Sequence, residues 1–238
     1  MFMELLTMAT SADVARAGAK VALLPVGSFE QHGAYLPLAT DTIIACAVAQ
    51  ALSNANELFT MPPMTVSCSH EHTAWPGTVS ISASTLIAVI ADIRASLQNA
   101  GVERLVLVNG HGGNYVLSNI VQEATVGGPS LALFPGRDDW NRARSDARLE
   151  TNGHDDMHAG EVETSLLLYA LPKAVREGNA TADHEAPHRP HLLTLGMRGY
   201  TESGVIGRPS LGTAEKGKAV LESLVASFTD YLRVLEPQ

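Results

Sequence analysis

Short, wholly apolar runs alternate along this chain with longer segments whose apolar residues recur every three or four positions. "KVALLPVG" (20–27), "ERLVLVNG" (103–110) and "PSLALFPG" (129–136) are near-continuous apolar stretches closed by glycine. That pattern is expected of strands buried on both faces. "ELFTMPPM" (57–64) reads as a further, weaker strand. Between them, helices are predicted at "DTIIACAVAQALSNA" (41–55), "SASTLIAVIADIRASLQNAG" (82–101), 114–124, the polar "DWNRARSDARLE" (139–150), "GEVETSLLLYAL" (160–171) and "TAEKGKAVLESLVASFTDYLRVLE" (213–236). Serine and threonine at the start of 82–101 and the glycine at its end are ordinary helix punctuation. The stretch 178–212, rich in Pro, His and Gly, is expected to be irregular and to form a binding loop. Repeated strand-then-helix units predict an α/β fold: a mostly parallel sheet flanked by helices, in a single domain over residues 1–238.

Composition narrows the function. With 16 basic and 25 acidic residues the formal charge is −9, which argues against nucleic acid or an anionic membrane as partner. Two cysteines, Cys46 and Cys68, are too few for a disulfide framework or a thiolate zinc site. No apolar run approaches the ~20 residues that span a bilayer. A cytoplasmic protein with a small-molecule substrate is expected.

Chemistry concentrates where such folds place it, at the carboxyl ends of the strands. Glu30 and His32 follow the strand 20–27, two residues apart, so that in extended backbone they project to one side. Asp41 opens the next helix and His111 follows the strand of 103–108. Two carboxylates and two imidazoles suit Zn²⁺, Mn²⁺ or Fe²⁺ better than Ca²⁺ or Mg²⁺. Asp41 is the natural bridge between two such ions; its alternative is to cap the helix it begins. On the helix from Gly160, Glu163 shares a stripe with Leu166, Leu167 and Ala170, so its carboxylate is expected to be buried and therefore paired or metal-bound. Glu161, off that stripe, is expected in solvent. His158, just before the helix, is placed to swing over a pocket and carry a proton. Ser69, Glu71 and His72, in "SCSHEHTAWPGTVSIS" (67–82), are read as substrate contacts or as support for metal-holding residues.

In their order and spacing, "PVGSFEQHGAYLPLATD", "EHTAWPGT", "NGHGGN" and "HAGEVETS" resemble the successive signatures of the creatininase family of metal-dependent amidohydrolases. The resemblance covers about residues 20–170, and "ESGVIGRPSLGTAEKG" (202–217) is similar to the family's C-terminal region. It implies a three-layer α/β/α fold, a binuclear divalent-metal centre, hydrolysis of an amide or cyclic-amide C–N bond, and a homo-oligomer, commonly a hexamer. Carried over, Glu30 and His111 would hold one metal and His32 the other, with Asp41 bridging. Gly112 and Gly113 stand where creatinine-hydrolysing members have Tyr and a metal-binding Glu, so Glu163 is expected to supply the fifth ligand. Asp156 and Met157 replace the Trp and Glu those enzymes place before the histidine matched by His158. Gly112 and Met157 are accordingly expected to line a roomier pocket. The family carries over; creatinine as substrate does not. Alternatives are a peptidase or deformylase of a cofactor pathway, such as a mycofactocin-type peptidase, or a catalytically silent metal-binding scaffold.

Overall fold

A computed structural model describes residues 6–235 of the chain. The elements are α1 (Ser11–Ala17), β1 (Val21–Val26), α2 (Thr40–Ala55), β2 (Phe59–Thr60), α3 (Ala83–Asn99), β3 (Arg104–Asn109), α4 (Val116–Ala124), β4 (Leu131–Phe134), α5 (Arg137–Asp146), α6 (Glu161–Ala170), α7 (Leu192–Leu195) and α8 (Ala214–Leu235). The four strands form one parallel sheet in the order β2-β1-β3-β4. β1 and β3 are in register from Val21↔Arg104 to Val26↔Asn109.

Side-chain alternation along the strands divides the interior into two cores. Leu23, Val106, Val108 and Phe134 face α2, α5, α6 and α8, packing on Ile44, Val48, Ala143, Leu166, Leu167, Leu224 and Phe228. Ala22, Leu24, Val26, Leu105, Leu107 and Leu131 face α3 and α4, against Leu86, Ile90, Leu97 and Leu117. Helices on both faces explain why β1 and β3 read as unbroken apolar runs. The expected α/β architecture with a mostly parallel sheet is the one observed.

Two elements differ in detail from expectation. The short helix α1 escaped the pattern because none of its residues is buried and it is held by a Thr10–Asp13 capping box instead. The final helix was expected to reach residue 236, which lies outside the described residues. Residues 178–212 are irregular, built from single turns and α7, and return to the centre of the molecule where Ile206 pairs with His158 and Gly207 with His184.

In the order β2-β1-β3-β4 the chain leaves β1 toward one edge and β3 toward the other. The carboxyl ends of β1 and β3 therefore flank the topological switch point, where loops part and leave a crevice. Glu30, His32 and His111 all follow these two strands.

Candidate metal centre

Six side chains meet at that crevice. Glu30 and His32 come from the loop after β1, Asp41 from the first turn of α2, His111 from the loop after β3, and His158 and Glu163 from the start of α6 and the residues before it. Asp41 lies between two imidazoles: its Oδ1 is 3.0 Å from His32 Nε2 and its Oδ2 is 2.9 Å from His111 Nδ1. Oδ2 also accepts a 2.7 Å hydrogen bond from the Ser28 hydroxyl. The capping alternative for Asp41 is not what the fold uses, for no side chain caps α2. Glu30 Oε1 is 3.2 Å from both His111 Nδ1 and His72 Nε2, and 3.8 Å from His158 Nδ1. Glu163 Oε2 is 3.9 Å from His32 Nε2 and accepts the Ala159 N–H at 2.5 Å.

The remote ring nitrogens decide which lone pairs face inward. His111 Nε2 donates to the Cys68 carbonyl at 2.8 Å, which leaves Nδ1 free. His32 Nδ1 donates to the Glu30 carbonyl at 3.1 Å, which leaves Nε2 free. Each ring is thus held by a backbone carbonyl with its basic nitrogen toward the carboxylates, the arrangement that orients metal-binding histidines. Among the described residues, three overlapping groups have donor atoms within 4.8 Å of one another: Glu30–Asp41–His111, His32–Asp41–Glu163 and Glu30–His32–His158. Asp41 is common to the first two.

Glu30 provides an independent sign that cations belong here. Its carboxylate is fully buried, yet neither oxygen has a hydrogen-bond partner among the described residues. The imidazole nitrogens within 3.2 Å are close but not aligned to donate. A buried carboxylate without a donor costs several kcal/mol unless a cation faces it. The donor set therefore fits divalent metal.

Protonation in the metal-free chain reflects the same crowding. Burial alone would keep His32 neutral, but Asp41 with Glu163 and Glu30 raises it to about 9. His111, likewise buried, is held well above its ordinary value by Glu30 and Asp41. Burial, aided by Asp41, pushes Glu163 up to about 8, and burial also raises Glu30. Asp41 goes the other way, since its two imidazole neighbours outweigh its burial. His32, His111 and Glu163 thus hold protons that a bound cation would displace.

The remaining sequence-predicted positions fall around this cluster. Ser69 is buried with its hydroxyl unpartnered. Glu71 lies behind His111, with Oε1 3.8 Å from Nε2, and helps line a cavity of about 470 Å³ together with Gly113, Tyr115, Leu193, Leu195 and Arg198. Gly112 is exposed with open space where a side chain would begin. Met157 is half-buried and joins Ile206 through its backbone N–H at 2.9 Å.

Two expectations are corrected. Glu161 is not in solvent but fully buried, accepting from the Thr151 hydroxyl at 2.7 Å, the backbone of Glu150 and Thr151, and Lys216 Nζ at 2.5 Å. The apolar stripe does not separate buried from wet positions here because α6 is enclosed on nearly every side, with α8 covering the flank that carries Glu161. His158 is not poised over an opening: it is buried, stacked between His32 and His72 with ring centroids 4.2 and 4.3 Å away. Burial with His32 and His72 nearby holds its pKa well below the ordinary imidazole value.

Several residues that shape the centre were given no role there by the sequence. Asp156 accepts from the N–H groups of Glu161 and Val162 and pairs with Arg144 at 2.9 Å, so it fixes the start of α6 and with it Glu163. Ser28 and Gln31 also belong here. The consecutive motif "GSFEQHG" marked the stretch but could not say which polar residues turn inward.

A sequence profile of the creatininase family, described as creatinine amidohydrolase, matches residues 5–232. The chain belongs to the creatininase family. Mycofactocin precursor peptide peptidase of Mycolicibacterium smegmatis is 34% identical over 226 residues, covering 90% of this chain and 85% of that protein. Creatinine amidohydrolase of Pseudomonas putida is 27% identical over 241 residues, covering 91% of this chain and 90% of that protein. A solved E122Q mutant creatininase of Zn-Zn type superposes with a TM-score of 0.78 at 26% identity, over 95% of this chain and 94% of that one. The family expected from the four sequence motifs is the one found, as is its fold. Creatininase-family membership and these two relatives make the chain a hydrolase of amide C–N bonds.

Proposed function

We propose that the chain hydrolyses an amide bond at a centre of two divalent cations. Glu30 and His111 would hold one ion, His32 and Glu163 the other, and Asp41 would be shared. The observation that carries this reading is Asp41 itself, one oxygen toward each of two imidazoles, beside a buried Glu30 that no donor among the described residues satisfies. Two imidazoles and three carboxylates favour Zn²⁺, with Mn²⁺ or Fe²⁺ as the nearest substitutes.

Bound there, such ions supply Lewis acidity and lower the pKa of water toward neutrality. The chain's residues position and exclude. His32, His111 and Ser28 hold Asp41 from three sides, and the burial of the cluster keeps bulk water from competing with the substrate carbonyl. His158, with its proton-bearing Nε2 fixed at 2.7 Å on the Gln31 carbonyl, presents Nδ1 to the centre as the group that carries a proton to the departing nitrogen. We assign Ser69, Glu71, His72, Gly112 and Met157 to the substrate's surroundings.

A peptide is the substrate class we assign, chiefly on the similarity to the M. smegmatis peptidase. A cavity of about 470 Å³ lies on the Glu71 side of His111, walled by Gly113, Tyr115, Leu193 and Leu195; none of the six side chains of the centre lines it, and it offers room beside the centre for the flank of a larger substrate. A cytoplasmic homo-oligomer, a hexamer by the family resemblance, is part of the proposal; both cysteines are free and buried, as suits a reducing compartment.

The test is metal content of the purified protein, then turnover of creatinine, formamides and short peptides with and without chelator. About two ions per chain and chelator-sensitive cleavage of a peptide are expected. One ion or none, with no turnover after metal is restored, would replace this reading with the silent scaffold.

A further inference from the structure

Between Glu30 and His32 stands Gln31, whose side chain is held in one orientation. The Gly33 N–H donates to its Oε1 at 3.0 Å, and its Nε2 donates to the Gly204 carbonyl at 3.1 Å. A flipped amide would oppose N–H to N–H at one end and oxygen to oxygen at the other. With the orientation fixed, the second hydrogen on Nε2 is directed at His72 Nδ1, 2.9 Å away. His72 therefore accepts at Nδ1 and carries its proton on Nε2, the nitrogen on the Glu30 side, 3.2 Å from Oε1 but not aligned for a hydrogen bond.

The backbone of the same residue does the converse for His158. Its carbonyl takes the Nε2 proton at 2.7 Å and leaves an Nδ1 lone pair toward Glu30 at 3.8 Å. The two rings are neighbours, 4.3 Å apart, and they face one carboxylate with opposite chemistry. We infer that Gln31 is the positioning residue that sets this opposition: the His158 lone pair inward, the His72 proton inward. His72 is thereby kept out of the ligand set although it stands as near Glu30 as His111 does.

The slot for the amide is built by the irregular segment. Gly204 has φ +86°, and a Cβ there would lie 1.7 Å from Gln31 Oε1 and 2.7 Å from Nε2. Thr201 and Ser203 pin the turn by accepting the Gly204 and Val205 N–H groups. So 201–205 serves the centre by pressing Gln31 into place. This inference goes beyond the hydrolase proposal and is tested without metal or substrate.

The experiment is solid-state ¹⁵N NMR of metal-free protein labelled at the histidine ring nitrogens, the His72 signals being identified by their loss in His72→Gln. In the wild type His72 is expected in the Nε2–H form. Gln31→Glu places only acceptors opposite Nδ1, so that form should be lost and Nδ1 should become protonated. Gly204→Ala, which leaves every side-chain donor intact but fills the slot, should also lose the uniform Nε2–H form. A wild-type His72 protonated on Nδ1, or an unchanged His72 spectrum in folded Gln31→Glu, overturns the inference. Should Gln31→Glu not fold, the wild-type spectrum alone decides. Absence of turnover on every amide would sink the hydrolase proposal and leave this one standing.

Discussion

Gly113 and Glu71 compete for one place: a Cβ on residue 113 would stand 2.0 Å from Glu71 Oε1 and 2.4 Å from His111 Nε2. The carboxylate of Glu71 thus fills the volume that a side chain following the "NGHG" turn would need. From there it faces the protonated nitrogen of His111, whose other nitrogen meets Glu30 and Asp41. Gly113→Ala is expected to push Glu71 aside and weaken zinc binding about 10-fold, the usual size for loss of support behind a metal-holding histidine. Adding Glu71→Ala should recover part of that loss, since the closer clash is then gone and only the contact with His111 Nε2 remains. Zinc competition titrations of the two single variants and the double variant measure the coupling, and strict additivity would refute it.

Asp41 and Glu163 should differ in what their removal costs. Asp41 belongs to both proposed ligand groups, Glu163 to one. Asp41→Asn is expected to lose both ions, and Glu163→Gln one. Metal analysis by mass spectrometry after extensive dialysis checks this; equal losses would mean that Asp41 is not shared.

Glu30 should trade stability for function. Its carboxylate is fully buried and accepts no hydrogen bond among the described residues, so in the metal-free chain only the nearby imidazoles offset its desolvation. Glu30→Gln should abolish activity while leaving the melting temperature of metal-free protein equal or higher. A clear drop in that temperature would show that Glu30 is a structural acid.

His158→Ala should retain its ions yet lose about 10²–10⁴ in kcat, as expected when a proton carrier is removed. Its Nδ1 also lies within the third donor group, with Glu30 and His32. Loss of an ion in His158→Ala would therefore reassign it as a ligand.

The Glu161–Lys216 pair predicts an acid limb of stability. Lys216 and the Thr151 donors outweigh burial and lower the Glu161 carboxyl below its usual value. A carboxylate depressed in the folded state contributes stability that is complete above its unfolded pKa of about 4.3 and is lost as pH falls through the lowered folded value. Glu161→Gln should cost about 3 kcal/mol near neutrality, the low end for breaking a buried pair, because Lys216 remains 18% exposed. It should also remove that part of the acid limb, which urea titrations between pH 3 and pH 7, a range set by the same unfolded pKa, would show.

Much of this protein was already determined by its sequence. Local period and glycine punctuation fix the strands 20–27, 103–110 and 129–136 and the helices between them, and the switch-point rule then brings Glu30, His32, Asp41 and His111 to one edge. Those inferences need only neighbours a few residues apart. Tertiary structure decided what depends on distant partners. Glu161 and Glu163 both lie in the first turn of α6, yet the first is sealed by Lys216 of α8 while the second keeps 16% of its side chain open at the centre. No periodicity carries that difference, because it depends on which element covers each flank. Gln31 is likewise silent in the sequence: its partner Gly204 is 173 residues away, and only their packing fixes the amide that orients His72.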